Sequence, residues 1–455
     1  MKTALILAAL LISVVASQSS EGPSSSSGVE QSDIPVASAQ PAIAQVAPVP
    51  CPWQVTLEPV EIRFPINMDT HASYAIYVFR ADGNVALNVA GSFPHAAFLS
   101  FTTYSQNGLL FDALLDKDIA PDPGSVNPFQ KGALVNAPNR SYRMMVLPYG
   151  KPAPQNINSI SMPPLPFGST PVLTTLVLRV YLPAPHRNRK GGVPLPVITA
   201  FSANDMKTPL PCPTVSQTPQ PSALADADIP RFGNFNGVPQ PPPPKLGKIL
   251  FYRPPVSGVP FADGSSQLTA DNCTGYLMAT LDENKLSIIH FKKIPTFFNN
   301  TETDAKTTFS ETQVRYLSLG SYGASVIPPP GSSLSGNIAG TELLTTANGG
   351  AAFVVIPASF PSNTRETITR IAKTRNFNVL PMAKLGPEVK PFLIYRNKVA
   401  ATGFEGSISK VPCYTGAPFD TAPADYAASS CNMGLYAPQG EECDVEAFLL
   451  GKCGL

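Results

Sequence analysis

The sequence predicts an all-β protein: two tandem homologous antiparallel β-sandwich or jelly-roll domains, followed by a small cysteine-containing C-terminal tail. Three observations predict it. Proline supplies 51 of the 455 residues, about twice its ordinary share of about 5%. Proline lacks the backbone donor that helix interiors and central strands require, so helical bundles are disfavoured and short strands with stiff turns are favoured. The apolar runs are short, rich in β-branched and aromatic residues, and bounded by Gly, Pro, Asn or Asp, as strands are. Finally, the strand-like runs recur in the same order in two consecutive blocks.

In the first block the runs at 75–79, 85–89, 98–104, 142–147 and 174–182 read as strands. Ala81-Asp82-Gly83-Asn84 reads as a hairpin turn between the first two, because Gly and Asn tolerate positive φ. The run at 174–180 is almost continuously apolar, which predicts a strand covered on both faces. Helical periodicity is faint: 366–373 reads as a short helix and 112–116 as one turn.

The second block repeats the first at offsets of about 200 to 218 residues. Ile76-Tyr77-Val78 with Asp82-Gly83-Asn84 matches Tyr276-Leu277-Met278 with Asp282-Glu283-Asn284. Phe93-Pro94 matches Ile294-Pro295, and residues 98–104 match 316–322. Met144 to Pro148 matches Phe353 to Pro357, and Leu176-Val177-Leu178-Arg179 matches Leu393-Ile394-Tyr395-Arg396. Leu210-Pro211-Cys212 matches Val411-Pro412-Cys413. The domains expected are therefore a first sandwich at 51–213 and a second at 246–415, with a tail at 416–455. Residues 18–50 and the proline-rich 214–245 have too little apolar surface to fold and read as linkers.

Met1-Lys2-Thr3 followed by a short apolar run and Val15-Ala16-Ser17 reads as a signal peptide at 1–17. The run is shorter than the roughly 20 residues that span a bilayer, so a secreted chain without a transmembrane segment is expected. Sequons at Asn139, Asn272 and Asn299 are candidate glycosylation sites in that compartment. Seven cysteines would form structural disulfides there. The duplication predicts Cys51–Cys212 and Cys273–Cys413, and within the tail Cys431 pairs with Cys443 or with Cys453, Cys431–Cys443 being preferred. The thiol left over could link two chains as a dimer.

Phe93-Pro94-His95-Ala96, the stretch 115–129, Arg179-Val180-Tyr181-Leu182-Pro183 with 191–196, Val314-Arg315-Tyr316-Leu317-Ser318 and Leu393-Ile394-Tyr395-Arg396-Asn397 resemble a group of uncharacterised exported proteins, mostly bacterial. That group is similar in turn to tandem β-sandwich domain-of-unknown-function families. The resemblance implies the fold and export, and no activity.

A charge of +1, from 32 Lys+Arg against 31 Asp+Glu, excludes the basic surface that nucleic-acid binding requires. Four histidines and no Gly-x-Ser-x-Gly elbow leave little material for a nucleophilic triad. His95 is the candidate general base, with a loop histidine bonded to backbone as the plainer alternative. His71 and His186 read as exposed loop positions and His290 as a strand end. Asp112, Asp116, Asp118 and Asp122 offer the hard oxygens that calcium takes, and Asp116 with Asp118 is formally a glycosidase pair if both lie on one strand face. The runs at 139–143 and 186–190 are basic, and the second, followed by Gly191-Gly192, reads as an exposed hairpin tip. Arg179 and Arg396, matched in apolar strands, each need a partner. Either each pairs within its own repeat, the preferred reading, or both line an inter-domain cleft. Two functions follow: an extracellular binding or structural component recognising an extracellular ligand or small molecule, or a secreted enzyme acting on a small or apolar substrate in a pocket between the domains, with His95, Arg179 or Arg396 near it.

Overall fold

A computed structural model describes residues 47–57, 63–64, 69–105, 110–165, 171–213, 247–253, 274–298, 308–309, 312–325, 331–382, 389–411 and 433–453. The first half contains β1 (Pro50–Cys51), β2 (Val55–Leu57), β3 (Arg63–Phe64), β4 (Ala72–Ala81), β5 (Val85–Ser92), β6 (Ala96–Tyr104), β7 (Leu110–Leu115), β8 (Ser141–Leu147), β9 (Asn158–Ser161), β10 (Val172–Pro183), β11 (Val197–Ser202) and β12 (Pro209–Leu210). The second contains β13 (Lys248–Ile249), β14 (Thr274–Thr280), β15 (Leu286–Phe291), β16 (Tyr316–Ser325), β17 (Gly331–Ala339), β18 (Ala351–Ile356), helix α1 (Ser362–Thr374), β19 (Asn378–Pro381), β20 (Val389–Lys398), β21 (Pro438–Cys443) and helix α2 (Val445–Leu449). The fold is all-β, as the composition predicts.

These strands form four sheets. In the first half, β1-β11-β5-β8-β9, with β12 on β11, packs on β2-β4-β10-β6-β7. In the second half, β13-β21-β15-β18-β19 packs on β14-β20-β16-β17, whose far edge is extended by β3 from the first half. Apart from β2, β3 and β12, the orders correspond: β1-β11-β5-β8-β9 with β13-β21-β15-β18-β19, and β4-β10-β6-β7 with β14-β20-β16-β17. In each half one ladder runs parallel among antiparallel neighbours: β8 with β9, and β18 with β19.

Alternation explains the cores. Tyr77, Phe79, Leu87, Phe101, Met144 and Leu178 meet between the first two sheets. Leu277, Ile289, Phe291, Phe353, Leu393 and Tyr395 meet between the second two. Each fully buried side chain of this size contributes about 1.5–3 kcal/mol of apolar transfer. The central β10 is buried along most of its length on both faces, as its unbroken apolar run predicts, because its outer face packs against the other half.

Several expectations are corrected. Residues 81–84 form a turn, with Gly83 at φ 81°, but β4 and β5 lie in different sheets. The turn is therefore an arch across the sandwich rather than a hairpin. The registers Arg179↔Tyr74 and Arg396↔Tyr276 place Tyr276 at Tyr74's position, two residues from the sequence match with Ile76 and on the same face. Residues 110–115 are a strand, so no helical turn spans Asp112 to Asp116. The expected short helix is longer, covering α1, with Ile368 and Ala372 turned inward.

Strand β21, within the segment expected as a tail, is part of the second sandwich. Strand β21 lies between β13 and β15, the position β11 occupies in the first half. Val411 precedes that strand whereas Cys212 follows its counterpart, so the Val411-Pro412-Cys413 match is not topological. Cys51 bonds Cys212 as expected. Cys443 bonds Cys453, which displaces the preferred Cys431–Cys443 pairing: α2 and the turn after it fold Cys453 back onto β21. Cys431, Cys273–Cys413, Asn272, Asn299, the signal peptide and the 214–245 linker lie outside the described residues. No helix among the described residues is long and apolar enough to cross a membrane.

Candidate functional site

The polar residues of greatest interest lie on the outer faces of β4-β10-β6 and β14-β20-β16, where the two halves meet. Alternation puts Tyr74, Arg179 and Ser100 in one cross-strand row, and Tyr276, Arg396 and Ser318 in the matching row. Arg179 donates to Tyr104 Oη and to Thr102 Oγ1, and its guanidinium carbon lies 5.5 Å from the Tyr104 ring centroid. Arg396 donates to Tyr322 Oη at 2.7 Å and lies 5.3 Å from that ring centroid. Tyr104 and Tyr322 are themselves matched, so each half presents the same Tyr–Arg–Ser row with a tyrosine beside it.

Asp69, just before β4, is fully buried and crosses this seam. Its carboxylate accepts from Tyr316 Oη at 2.8 Å on both oxygens, Ser318 Oγ at 2.9 Å and Asn337 Nδ2 at 2.6 Å. It also accepts from the His71 backbone N–H at 2.9 Å and lies 3.8 Å from Arg396 Nη1. Burial alone would push this acid up; the His71 hydrogen bond and the Arg396 charge outweigh it and hold Asp69 well below the usual carboxylate range. His71 stands between two carboxylates, 3.5 Å from Asp69 Oδ1 and 2.9 Å from Glu342 Oε2. Its burial disfavours the charge, but the two acids prevail and raise it to about 9. His71 is thus a bridging cation, not an exposed loop residue.

Two more cations of the second half reach the first. Arg315 pairs with buried Asp116 and sits over the Phe129 and Phe309 rings, 5.5 and 4.9 Å from their centroids. Lys398 Nζ lies 4.3 Å from the Tyr181 ring centroid and 5.3 Å from that of Phe98. Buried charges persist only when paired and hydrogen-bonded. Breaking the seam would strand them.

The fold brings Arg179 and Arg396 to the same seam and leaves His95 against Arg140. Arg396 pairs with an acid of the other half, which corrects the preferred own-repeat pairing; the contacts named for Arg179 lie within its own half. His95 stacks its polar edge against Arg140, with Nδ1 2.7 Å from Arg140 Nη1, and its backbone N–H donates to Gly191 O. Beside it, Pro94, Phe129, Phe298 and Phe309 line a cavity of about 10 Å³, room for about one water. A substrate pocket is ordinarily hundreds of Å³, so His95 has the environment of a packed loop residue.

The four aspartates do not converge. Asp112 accepts from the Ser161 N–H at 2.7 Å, while Asp116 faces Arg315. Asp118 is exposed and bonded to Lys117 Nζ at 2.7 Å, and Asp122 lies 3.8 Å from Arg143 Nε. The calcium expectation thus finds no convergent ligand set, and no group of three His, Cys, Asp or Glu side chains among the described residues is arranged to hold a metal. Asp116 and Asp118 occupy a 3-10 turn, one buried and one exposed, so they share no face and form no glycosidase pair. Arg140, in the first basic run, is buried; His186 and Arg187 in the second are exposed as expected.

Sequence reasoning missed Asp69, Tyr316, Ser318, Asn337, Glu342 and the Arg315–Asp116 pair. Among the described residues the arrangement surrounds the Asp69 carboxylate with donors from both halves. Its chemistry is adhesion of two folded halves.

No protein-family model matches the chain, and no curated protein matches it. Among solved structures, an uncharacterised protein from Burkholderia cenocepacia is similar at 13% identity and a TM-score of 0.42, covering 84% of this chain and 78% of that one. A protein from Vibrio parahaemolyticus is similar at 10% identity and a TM-score of 0.37, covering 83% of this chain and 90% of that one.

Proposed function

We propose that the chain is an exported, disulfide-stapled protein of two β-sandwich domains copied from one ancestor, acting as an extracellular binding or structural component. The observation that carries this reading is the seam: buried ion pairs join the two halves, Arg179 and Arg396 both lie in it, and His95 packs against Arg140. Export is supported by the charged-then-apolar start of the sequence and by the Cys51–Cys212 and Cys443–Cys453 bonds, since disulfides persist in oxidising compartments. Asn139 is exposed and so open to a glycan. Copying from one ancestor is supported by the matched strand orders and matched Tyr–Arg–Ser rows. Cys273–Cys413 would staple the second half, leaving Cys431 to link two chains.

Secretion of the full chain from a host that glycosylates tests the reading. The expected product begins near Gln18, carries a glycan at Asn139, migrates partly as a reducible dimer and binds extracellular polysaccharide or protein without altering it. Retention inside the cell, or turnover of a small substrate abolished by His95→Ala, would overturn it.

A further inference from the structure

Among the described residues each half carries a disulfide behind the same strand of the sheet remote from the seam, but the two bonds constrain different things. In the first half β12 follows β11 and pairs back onto it, and Cys212 then bonds Cys51 on the neighbouring β1. That bond spans 161 residues and ties the start of the sandwich to its end. In the second half α2 follows β21, the counterpart of β11, and Cys453 returns to Cys443 on β21 itself. This bond spans 10 residues, and no strand lies inside the loop it closes.

What does lie inside is a cap. Phe448, the buried residue of α2, packs edge-on against Phe377 with ring centroids 5.8 Å apart, in the cluster that holds Ile288, Val354 and Ile368. The Arg375 guanidinium, just past α1, donates to Phe448 O and, at 2.9 Å, to Leu449 O. Its carbon lies 5.5 Å from the Phe448 ring centroid. A helix of five residues is far below the roughly 12–15 that hold an isolated helix in water, so α2 keeps its shape only while docked and tethered. Cys443 is buried, but Cys453 is half-buried, and a thiolate can reach its sulfur.

We propose that the Cys443–Cys453 bond is a redox latch: a dithiol reductant opens it, and α2 lifts from Phe377 while the sandwich beneath stays folded. One thiolate of the dithiol attacks Cys453 Sγ, the sulfur–sulfur bond breaks, and Cys443 leaves as a thiolate. The second thiolate attacks the mixed disulfide and releases Cys453. The dithiol ends as its own disulfide, having passed two electrons and two protons to the cysteine pair. Opening uncovers the Phe377 ring and frees the Arg375 guanidinium; reoxidation restores the cover. The latch stands apart from the extracellular reading and does not depend on it.

Two measurements on the full chain test it. Hydrogen exchange compares the oxidised parent with the Cys443→Ser/Cys453→Ser variant. The amides of Phe448, Leu450 and Lys452, which donate to Asp444 O, Glu446 O and Ala447 O, should exchange about tenfold faster or more in the variant, and those of β15 and β18 at the parent rate. Unchanged exchange in α2 would mean that the bond holds nothing, and an equal rise in β15 and β18 that it staples the whole sandwich; either overturns the proposal. Dithiothreitol under native conditions, followed by alkylation and peptide mass spectrometry, should label Cys443 and Cys453 and reproduce the variant's exchange pattern. A pair that resists reduction until β15 and β18 lose protection would also overturn it.

Discussion

Asn158 and Asn378 make the same three hydrogen bonds in the two halves. Each opens the strand that runs parallel to its neighbour, in the registers Met144↔Asn158 and Phe353↔Asn378. Asn158 Oδ1 accepts from Ala120 N–H at 2.8 Å, and its Nδ2 donates to Ala120 O at 2.8 Å and Arg143 O at 2.7 Å. Asn378 Oδ1 accepts from Leu344 N–H at 2.8 Å, and its Nδ2 donates to Leu344 O at 2.9 Å and Ala352 O at 3.0 Å. One amide thus ties two backbone segments to the start of its own strand.

The clamp predicts unequal losses. Asn378 is buried and Asn158 is half-buried, so water replaces the lost bonds at Asn158 more readily. Asn378→Ala should destabilise by about 1–3 kcal/mol and Asn158→Ala by less, measured by denaturant unfolding. Equal losses would mean the amides do not act through burial.

Tyr316→Phe removes the hydroxyl that donates to both oxygens of Asp69 and keeps the ring against Tyr181, whose centroid is 5.1 Å away. Because the acceptor is charged and buried, the expected loss is about 1.5–3 kcal/mol. Tyr436→Phe, which removes a half-buried hydroxyl bonded to neutral Gln313, should lose less. The comparison separates the seam from a general effect of deleting hydroxyls.

The seam should be most stable in mildly acidic solution. The His71 contribution is fully present below the ordinary imidazole value of 6.5 and is lost as pH rises through about 9. Asp69 and Glu342 are held below their ordinary values, 3.8 and 4.5. Their contributions are present above those values and fade as pH falls through the lowered ones. A Tm profile against pH should therefore plateau between about 4.5 and 6.5 and decline on the alkaline side, and His71→Gln should flatten the alkaline decline. An unchanged alkaline limb in that variant would assign the decline to other groups.

Cys51 and Cys212 are 161 residues apart in sequence, Cys443 and Cys453 only 10. In the chain-entropy account the longer loop contributes more. Cys51→Ser with Cys212→Ser should cost about 2–5 kcal/mol, and the Cys443/Cys453 pair of substitutions less. The reverse order would point to enthalpy and solvation as the source of disulfide stability here.

The strands were legible where one physical cause dominates. Proline and turn residues set the boundaries, and the unbroken apolar run in β10 revealed that both faces are covered. Strand β21 was not legible, since Pro438-Gln439-Gly440-Glu441-Glu442-Cys443 carries almost none of the usual strand residues. It is a strand because β13 and β15 flank it, and Gly440 is there because a Cβ would lie 2.7 Å from Ile249 Cβ and 2.9 Å from Ile289 Cδ1. Arg179 and Arg396 were legible as buried cations in need of partners. Asp69 was not: Tyr316 and Asn337, which bond it, lie 247 and 268 residues away, and only docking of the two halves brings them to it.

The most direct test of the seam is a double-mutant cycle on Asp69 and Arg396. Asp69→Asn, Arg396→Met and the double variant would be compared by equilibrium unfolding. Removing either partner alone strands a buried charge or its donors, so each single variant should lose about 3–5 kcal/mol, and the double variant should lose less than their sum by about 1 kcal/mol or more. Strict additivity would contradict the account, because it would mean that Asp69 and Arg396 do not sense each other across the join.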